Sequence, residues 1–421
     1  MLNMLYMLQS TFFTKVSKNF PEGEESKNAK WLIRGGFINK SSSGVYTILP
    51  LGLIILNKII KIVREEMNAV GGLELSMPAL VDKKYWEKSD RWGVDVIYKT
   101  GKKEKNDGSH DFEYGLGWTH EEVITAIALN YLQSYKDLPK SVYQFQTKFR
   151  AETRAQGGIL RGREFLMKDL YSFHVDSSDM NDYYQKVWKA YEKVFKRVGL
   201  KALATDAAGG DFTKDYTHEF QVLNPAGEDT TYYCDKCHFA QNKEIYKPEN
   251  HKNCNGEIKS AKSIEVGNIF RLGDRYSKAF NLLYSDKDGN KNPIIMASYG
   301  IGITRIMGTL VEEYSDERGI IWPESVAPFK AHFINLKSKK DSDYKKFFAL
   351  YEKLSKNGVD ILFDDRLDKT AGEKFAESDI LGIPFRVVLS DKTGDKLEIK
   401  KRDSKSFKLV SYKELEKLLT V

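Results

Sequence analysis

VYQFQTKFRAETRAQGGILRGREFLMKDLYSFH, residues 142–174, decides the fold. In a strand, alternate side chains share a face, so Tyr143, Phe145, Thr147 and Phe149 point one way. Gln144, Gln146, Lys148, Arg150 and Glu152 then point the other, and that polar face ends in an Arg/Glu pair. Gly157 and Gly158 permit a turn, after which Arg161 and Arg163 lead into a second strand on which Phe165, Met167, Asp169, Tyr171 and Phe173 share one side. Such a hairpin gathers guanidinium groups, an aromatic plane and carboxylates. These are the groups needed to fork phosphate oxygens, stack a purine and hold a metal ion or an ammonium. The competing reading is a sheet edge with solvated Arg/Glu pairs, worth little energetically.

Around the hairpin, amphipathic periodicity predicts helices over Leu51–Val70, Glu121–Ser134 and Met180–Val198. Helices mixed with period-2 strands suggest an α+β fold on a largely antiparallel sheet. The pattern changes near residue 325, where WPESVAPF carries two prolines. Beyond it AHFINL, VDILFDD and IPFRVVLS read as strands, alternating with helices at DYKKFFALYEKLSKNG, GEKFAESDILG and YKELEKLL. The expectation is therefore a domain over 1–325 and a small α/β domain over 326–421.

Two further segments carry polar groups at special places. NPIIMASYGIGITRIMGTLVEEY reads as a strand, a glycine turn at Gly300 and Gly302, and a helix with Arg305 in its first turn, a place suited to an anion. LGWTHEEVITAIALNYL sets Thr119, His120, Glu121 and Glu122 where a helix begins. Thr119 could be an N-cap with both glutamates favouring the helix dipole, or the four residues could form a polar loop that holds an amine.

The 421 residues, 41% apolar and 30% charged, exclude a disordered or collagen-like chain. The net charge of +7 is unevenly placed: residues 330–421 hold 21 Lys/Arg against 16 Asp/Glu, which suits an acidic partner such as nucleic acid. Three cysteines make no disulfide framework, so a reducing, cytoplasmic setting is expected. The opening MLNMLYML is too short to span a bilayer and lacks the basic start of a signal peptide, and its lack of Arg argues against a transit peptide. No membrane association is expected.

These segments together resemble the class II aminoacyl-tRNA synthetases, and among them the chain is similar to the bacterial-type prolyl-tRNA synthetases that lack the editing insertion. The family's first motif, a dimer-interface helix leading to a strand with a proline, matches LGLIILNKIIKIVREEMNAVGGLELSMPAL with Pro78. Its second matches Phe149, Arg150, Glu152, Arg163, Glu164 and Phe165, and its third Tyr299, Gly300, Ile301, Gly302 and Arg305. The T-x-E element of prolyl enzymes matches Thr119 and Glu121.

The resemblance implies a catalytic domain followed by an anticodon-binding domain, a homodimer through the first-motif helix, and ATP, Mg²⁺, proline and tRNA(Pro) as cofactors and partners. It implies that ATP activates proline to prolyl-adenylate and that the 3' end of tRNA(Pro) then accepts the prolyl group. By the same resemblance Arg150 holds the α-phosphate and the carboxylate, Arg305 the γ-phosphate, and Gly300 and Gly302 belong to the ATP site. Phe165 stacks on adenine, Glu152 reads its amino group, and Thr119 and Glu121 receive the proline ammonium. Tyr171 and Phe173 are expected in the ring pocket. Other readings are a threonyl or seryl enzyme, or a tRNA-binding paralogue without catalysis. Thr119-x-Glu121 argues against the first, and the retained Arg150, Glu152 and Arg305 against the second.

Two departures from the family are visible. Only about twenty residues separate Asn242-Lys243-Glu244 from Ile264-Glu265-Val266-Gly267, too few for an editing domain. That stretch, a short knuckle at 234–258, holds every cysteine: Cys234 and Cys237 at C-x2-C, then His251 and Cys254 at H-x2-C. The set matches structural zinc, or a decayed site that leaves ordinary thiols. Asn268 stands where His is expected in many relatives.

Overall fold

A computed structural model describes residues 7–420 apart from 105–109, 154, 211, 214–215 and 253. The chain divides into two compact units. One comprises Met1–Lys40, Thr47–Lys58 and Leu310–Val421, the other Ser41–Tyr46 and Ile59–Thr309. The break in pattern near 325 thus falls inside the first unit.

The second unit is built on a nine-stranded sheet. Its strands are β1 (Leu73–Glu74), β2 (Lys140–Phe149), β3 (Glu164–His174), β4 (Leu203–Ala207), β5 (Thr217–Leu223), β6 (Asp229–Cys234), β7 (Ala240–Asn242), β8 (Ile258–Gly273) and β9 (Ile295–Gly302). The spatial order is β5-β4-β7-β6-β8-β9-β3-β2-β1. Apart from β1 on β2 and one bridge of β7 on β4, every pairing is antiparallel, as expected. The hairpin of residues 142–174 is β2–β3, in register from Lys140↔Phe173 to Phe149↔Glu164. It lies within the sheet, and Lys148, Lys168 and Asp169 are buried on it, so the solvated-edge reading does not hold.

Helix α1 (Pro50–Ala69) precedes this sheet, and α2 (Glu121–Ala128) and α3 (Ser177–Val198) belong to it. In α3 the residues Met180, Tyr184, Val187, Tyr191, Val194, Phe195 and Val198 recur at helical spacing and are all buried. The Asp176 side chain caps its start, and Gly199 ends it at φ 95°, a left-handed conformation that glycine adopts without strain. Burial of each Met, Val or Phe side chain of this set contributes about 1.5–3 kcal/mol. The helix from Glu121 stops at Ala128, short of the expected Ser134, where Asn130 and Tyr131 turn the chain back.

The first unit carries a five-stranded sheet of β10 (Ala331–Asn335), β11 (Ile361–Asp364), β12 (Phe385–Leu389), β13 (Leu397–Lys401) and β14 (Lys408–Val410), in the order β11-β10-β12-β13-β14. The first three run parallel, linked by α5 (Ser342–Lys356) and α6 (Ala371–Leu381), with α7 (Tyr412–Thr420) at the end; α4 (Ile303–Glu313) has its first seven residues, Arg305 among them, in the second unit. Phe333, Phe347, Tyr351, Phe363 and Leu389 form part of its core. The antiparallel pair β13–β14 was not foreseen. An early segment lies on this sheet: Leu8 bridges Phe363 in parallel, and Ser10 donates from its N–H and hydroxyl to Asp365 at 3.1 and 2.9 Å.

Candidate active site

Arg150 follows directly on β2, with its N–H on the carbonyl of Arg163 at 2.8 Å. Arg305 lies in the first turn of α4, held by hydrogen bonds from its guanidinium to the carbonyls of Leu160 and Glu265, both 2.7 Å. These two arginines, 155 positions apart, line one cavity of about 200 Å³ with Glu152, Arg161, Glu228, Asp229 and Glu265. Burial, and then the nearby Arg305 charge, lower the pKa of the Arg150 guanidinium. Its buried Nε has no hydrogen-bond partner among the described residues, so the group is open to an anion. Phe165 lies with the Arg150 guanidinium 5.1 Å from its ring centre and lines an adjoining depression with Arg305 and Gly162. Glu152 accepts from Arg161 at 2.8 Å, and Arg161 also pairs with Glu228. The loop between the strands turns at Gly157 and Gly158, both at positive φ.

Gly300 and Gly302 do not form the expected turn. Strand β9 runs through both, neither has positive φ, and the helix begins at the next residue. Their small size serves packing instead: a Cβ on Gly300 would come within 2.8 Å of the Asn268 side-chain oxygen, and one on Gly302 within 3.1 Å of the Arg305 Cβ. Neither glycine lines the cavity.

Thr119 and Glu121, expected to receive an ammonium, do not line that cavity. His120, not Thr119, stands at the helix N-cap, and it makes no side-chain cap bond. The Thr119 hydroxyl donates to the Glu121 carboxylate. Both glutamates face Arg91, whose guanidinium lies 3.4 Å from Glu121 and 2.9 Å from Glu122, with all three buried. Arg91 also lies over the Trp118 ring at 4.3 Å and donates to the Tyr276 hydroxyl at 2.7 Å. Burial raises the pKa of the Glu121 carboxyl against the opposing pull of Arg91. The Glu121 charge acts in turn on Arg150 and Lys148, so Glu121 and Arg150 share one electrostatic field.

Beneath them, Asp169 accepts from Gln144, Lys148 and the Tyr171 hydroxyl, each at 2.9 Å. Burial opposes its charge, but Lys148 and His120 hold the carboxyl below the usual range. Lys148 Nζ is also 2.6 Å from His120 Nδ1, and His120 Nε2 is 3.0 Å from the Pro78 carbonyl. A proton on Nε2 leaves Nδ1 to accept from the ammonium. A Cβ on Gly117 would sit 2.6 Å from this imidazole, so glycine there makes room for it. The Asp169 Oδ1 has no partner among the described residues. Tyr171 is tied to Asp169 and to the His120 N–H, and Phe173 packs with Met296 in the hydrophobic core. Sequence reasoning assigned no role to Arg91, because its two carboxylates lie 30 and 31 positions away.

Asp229 and Glu265 on the cavity wall belong to a carboxylate group with Glu219, which does not itself line the cavity. Gln221 donates to Glu219 at 2.8 Å and to Asp229 at 2.9 Å, and Asn268 donates to Glu265 at 2.7 Å. Burial and then the Glu265 charge push the Glu219 carboxyl up to about 8, and burial chiefly raises Asp229 as well. Like charges crowded in this way create demand for a cation. Apart from that wall, Cys234, Cys237, His251 and Cys254 converge with ligand atoms all within 4.8 Å of one another.

Residues 100–314 match the tRNA synthetase class II core domain (G, H, P, S and T), and residues 330–421 match the anticodon binding domain. The proline--tRNA ligase of Anaplasma phagocytophilum (strain HZ) is 38% identical over 441 residues, covering 99% of this chain and 100% of that protein. That of Geobacillus sp. (strain WCH70) is 32% identical over 565 residues, with 97% and 98% covered. The latter alignment is longer than this chain, so that relative holds residues with no counterpart here. Among solved structures, the prolyl-tRNA synthetase of Cryptosporidium parvum complexed with L-proline and AMP superposes with TM-score 0.76 at 18% identity, covering 93% of this chain and 74% of that one. The Giardia lamblia enzyme in complex with prolyl-adenylate gives TM-score 0.76 at 19% identity over 93% and 77%.

Proposed function

The chain belongs to the class II aminoacyl-tRNA synthetases, among the proline--tRNA ligases, and from that premise we propose how its residues divide the work. The reaction joins two anions: a carboxylate oxygen of proline attacks the α-phosphorus of ATP, pyrophosphate leaves, and prolyl-adenylate forms. A ribose hydroxyl at the 3' end of tRNA(Pro) then attacks the prolyl carbonyl carbon and AMP leaves. The first step needs positioning and charge neutralisation more than covalent help. Arg150 holds the α-phosphate and the incoming carboxylate, and Arg305 holds the γ-phosphate. Phe165 stacks on adenine while Glu152, steadied by Arg161, reads its amino group. Thr119 and Glu121 receive the cyclic ammonium, and Arg91 keeps Glu121 oriented.

Asp229 and Glu265 fit a Mg²⁺ ion, because hard carboxylate oxygens line the cavity and their mutual repulsion favours a cation. When bound it would draw charge from the phosphate oxygens. Editing is absent from this reading: among the described residues, the stretch from Lys243 to Glu257 holds one 3₁₀ turn and two of the Cys/His ligands. A pocket sized for proline then rejects alanine by only about 1–3 kcal/mol. A homodimer through α1 is part of the same proposal.

The observation that carries this reading is the convergence of Arg150 and Arg305 on one cavity. The test is pyrophosphate exchange into ATP across the twenty amino acids. Proline should drive it, and Arg150→Ala or Arg305→Ala should lower kcat/KM by 10²-fold or more, in line with about 2.7–4 kcal/mol for one donor to developing charge. Exchange driven more strongly by another amino acid than by proline, or not touched by either substitution, would refute it.

A further inference from the structure

Outside the catalytic cavity, the densest group of metal-binding side chains is the knuckle at the far end of β6 and β8. Cys234 closes β6, Cys237 lies in the turn to β7, His251 follows the 3₁₀ turn Pro248–Asn250, and Cys254 precedes β8. The Sγ atoms of Cys234 and Cys254 are 3.8 Å apart. A disulfide needs about 2.05 Å. Two thiolates about 2.3 Å from a tetrahedral zinc would stand about 3.8 Å from each other. Cys237 Sγ lies 3.4 Å from His251 Nε2, again the spacing of two ligands on one ion.

Backbone geometry is built for thiolates as well. The Lys236 N–H points at Cys234 Sγ at 3.4 Å, and the Gly256 N–H at Cys254 Sγ at 3.3 Å. Gly256 is a cradle that no other residue fits, since a Cβ there would lie 2.3 Å from Cys234 Sγ and 3.2 Å from Cys254 Sγ. The Phe239 ring, 5.1 Å from that of His251, packs beside the imidazole.

We propose that Cys234, Cys237, His251 and Cys254 bind one Zn²⁺ as a closed, structural site, and that this ion secures the strand pair carrying the magnesium-facing wall of the cavity. Three thiolates and an imidazole select zinc over the hard cations, and with four protein ligands no position is left for substrate. The consequence for the active site follows from register. Strand β6 runs from Asp229, on the cavity wall, to Cys234, and β8 runs from Ile258 to Glu265 on the same wall. Asp229 pairs with Ser263 and Cys234 with Ile258, so the ion ties together the distal ends of two strands whose proximal ends hold both acidic side chains. This second clause rests on the assignment of Asp229 and Glu265 to Mg²⁺; the zinc site itself does not.

The experiment uses the full chain purified without chelator. Metal analysis should find one zinc per chain, released by a mercurial that titrates the thiols, and Cys234→Ser/Cys254→Ser should retain little. Cobalt-loaded protein should show the d–d and thiolate charge-transfer bands of a tetrahedral site. Removing zinc should lower the melting temperature by several degrees and raise the KM for ATP several-fold, while proline-dependent exchange at saturating ATP persists. Protein free of zinc that gains no stability when zinc is added, or equal zinc in the double variant, would overturn the site. Zinc present with the KM for ATP unchanged on its removal would overturn the strand-securing role. Neither result touches the ligase reading, which stands or falls on proline-driven exchange and its loss in the Arg150 and Arg305 variants.

Discussion

At Arg91, one side chain holds two buried carboxylates together, and the cost of removing it is correspondingly large. Arg91→Met would leave Glu121 and Glu122 buried without a counter-charge, and should cost about 3–5 kcal/mol in urea titrations. It should also raise the KM for proline more than that for ATP, an ordering that steady-state exchange kinetics checks. His120 makes a second prediction. Burial and then the Lys148 ammonium hold its imidazole down to about 4, against about 6.5 for a free histidine. Between those values the unfolded chain takes up a proton that the folded one does not. This group's contribution is therefore complete above pH of about 6.5 and is lost as pH falls toward 4, with a slope of at most about 1.4 kcal/mol per pH unit. His174 is lowered and His332 is held down to about 3, both chiefly by burial, so they tilt the curve in the same direction. The decisive reading is the difference: His120→Gln should flatten stability against pH in that window relative to the parent chain. Little of this network was legible in the sequence, because Arg91, Lys148 and Asp169 acquire roles only from partners that a run of neighbouring letters does not reveal.

Elements were easier to read than their junctions. The hairpin β2–β3 and helix α3 stand nearly where periodicity put them, since alternation and helical spacing both report on burial of a single face. Gly300 and Gly302 misled because glycine marks turns and also close approach. Here Asn268 and Arg305 occupy the space a side chain would need. Strands β13 and β14 escaped notice because they lie among KLEIKKRDSKSFKLV, where charge outweighs the alternation of Leu397 and Ile399. The turn before β6 offers a test at this scale. A Cβ on Gly227 would fall 2.0 Å from the Ser263 carbonyl oxygen, so Gly227→Ala must push the turn away from β8. We expect a loss of about 1–3 kcal/mol by thermal melt and a raised KM for ATP. An unchanged KM would mean that the wall carrying Glu228 and Asp229 tolerates displacement.

Across the whole molecule, charge and chain path matter most. Residues 330–421, which match the anticodon binding domain, hold the larger share of the positive excess. If that excess meets tRNA phosphates, three contacts would weaken tRNA binding roughly twenty- to forty-fold between about 50 and 200 mM salt. Aminoacylation should therefore be salt-sensitive in its KM for tRNA, while pyrophosphate exchange, which needs no tRNA, should vary much less. Equal sensitivity of both would remove the electrostatic argument. The change in pattern near 325 falls inside the first unit, whose membership was not legible because it joins distant stretches of chain. Leu8 lies against edge strand β11 through Phe363, and Ser10 against Asp365, 355 positions later. At about 5–20 residues per second, a ribosome delivers the second partner roughly 20 to 70 s after the first. For that interval Leu8 and Ser10 have no berth, and the sheet made 355 residues later is the one that must reach back to collect them.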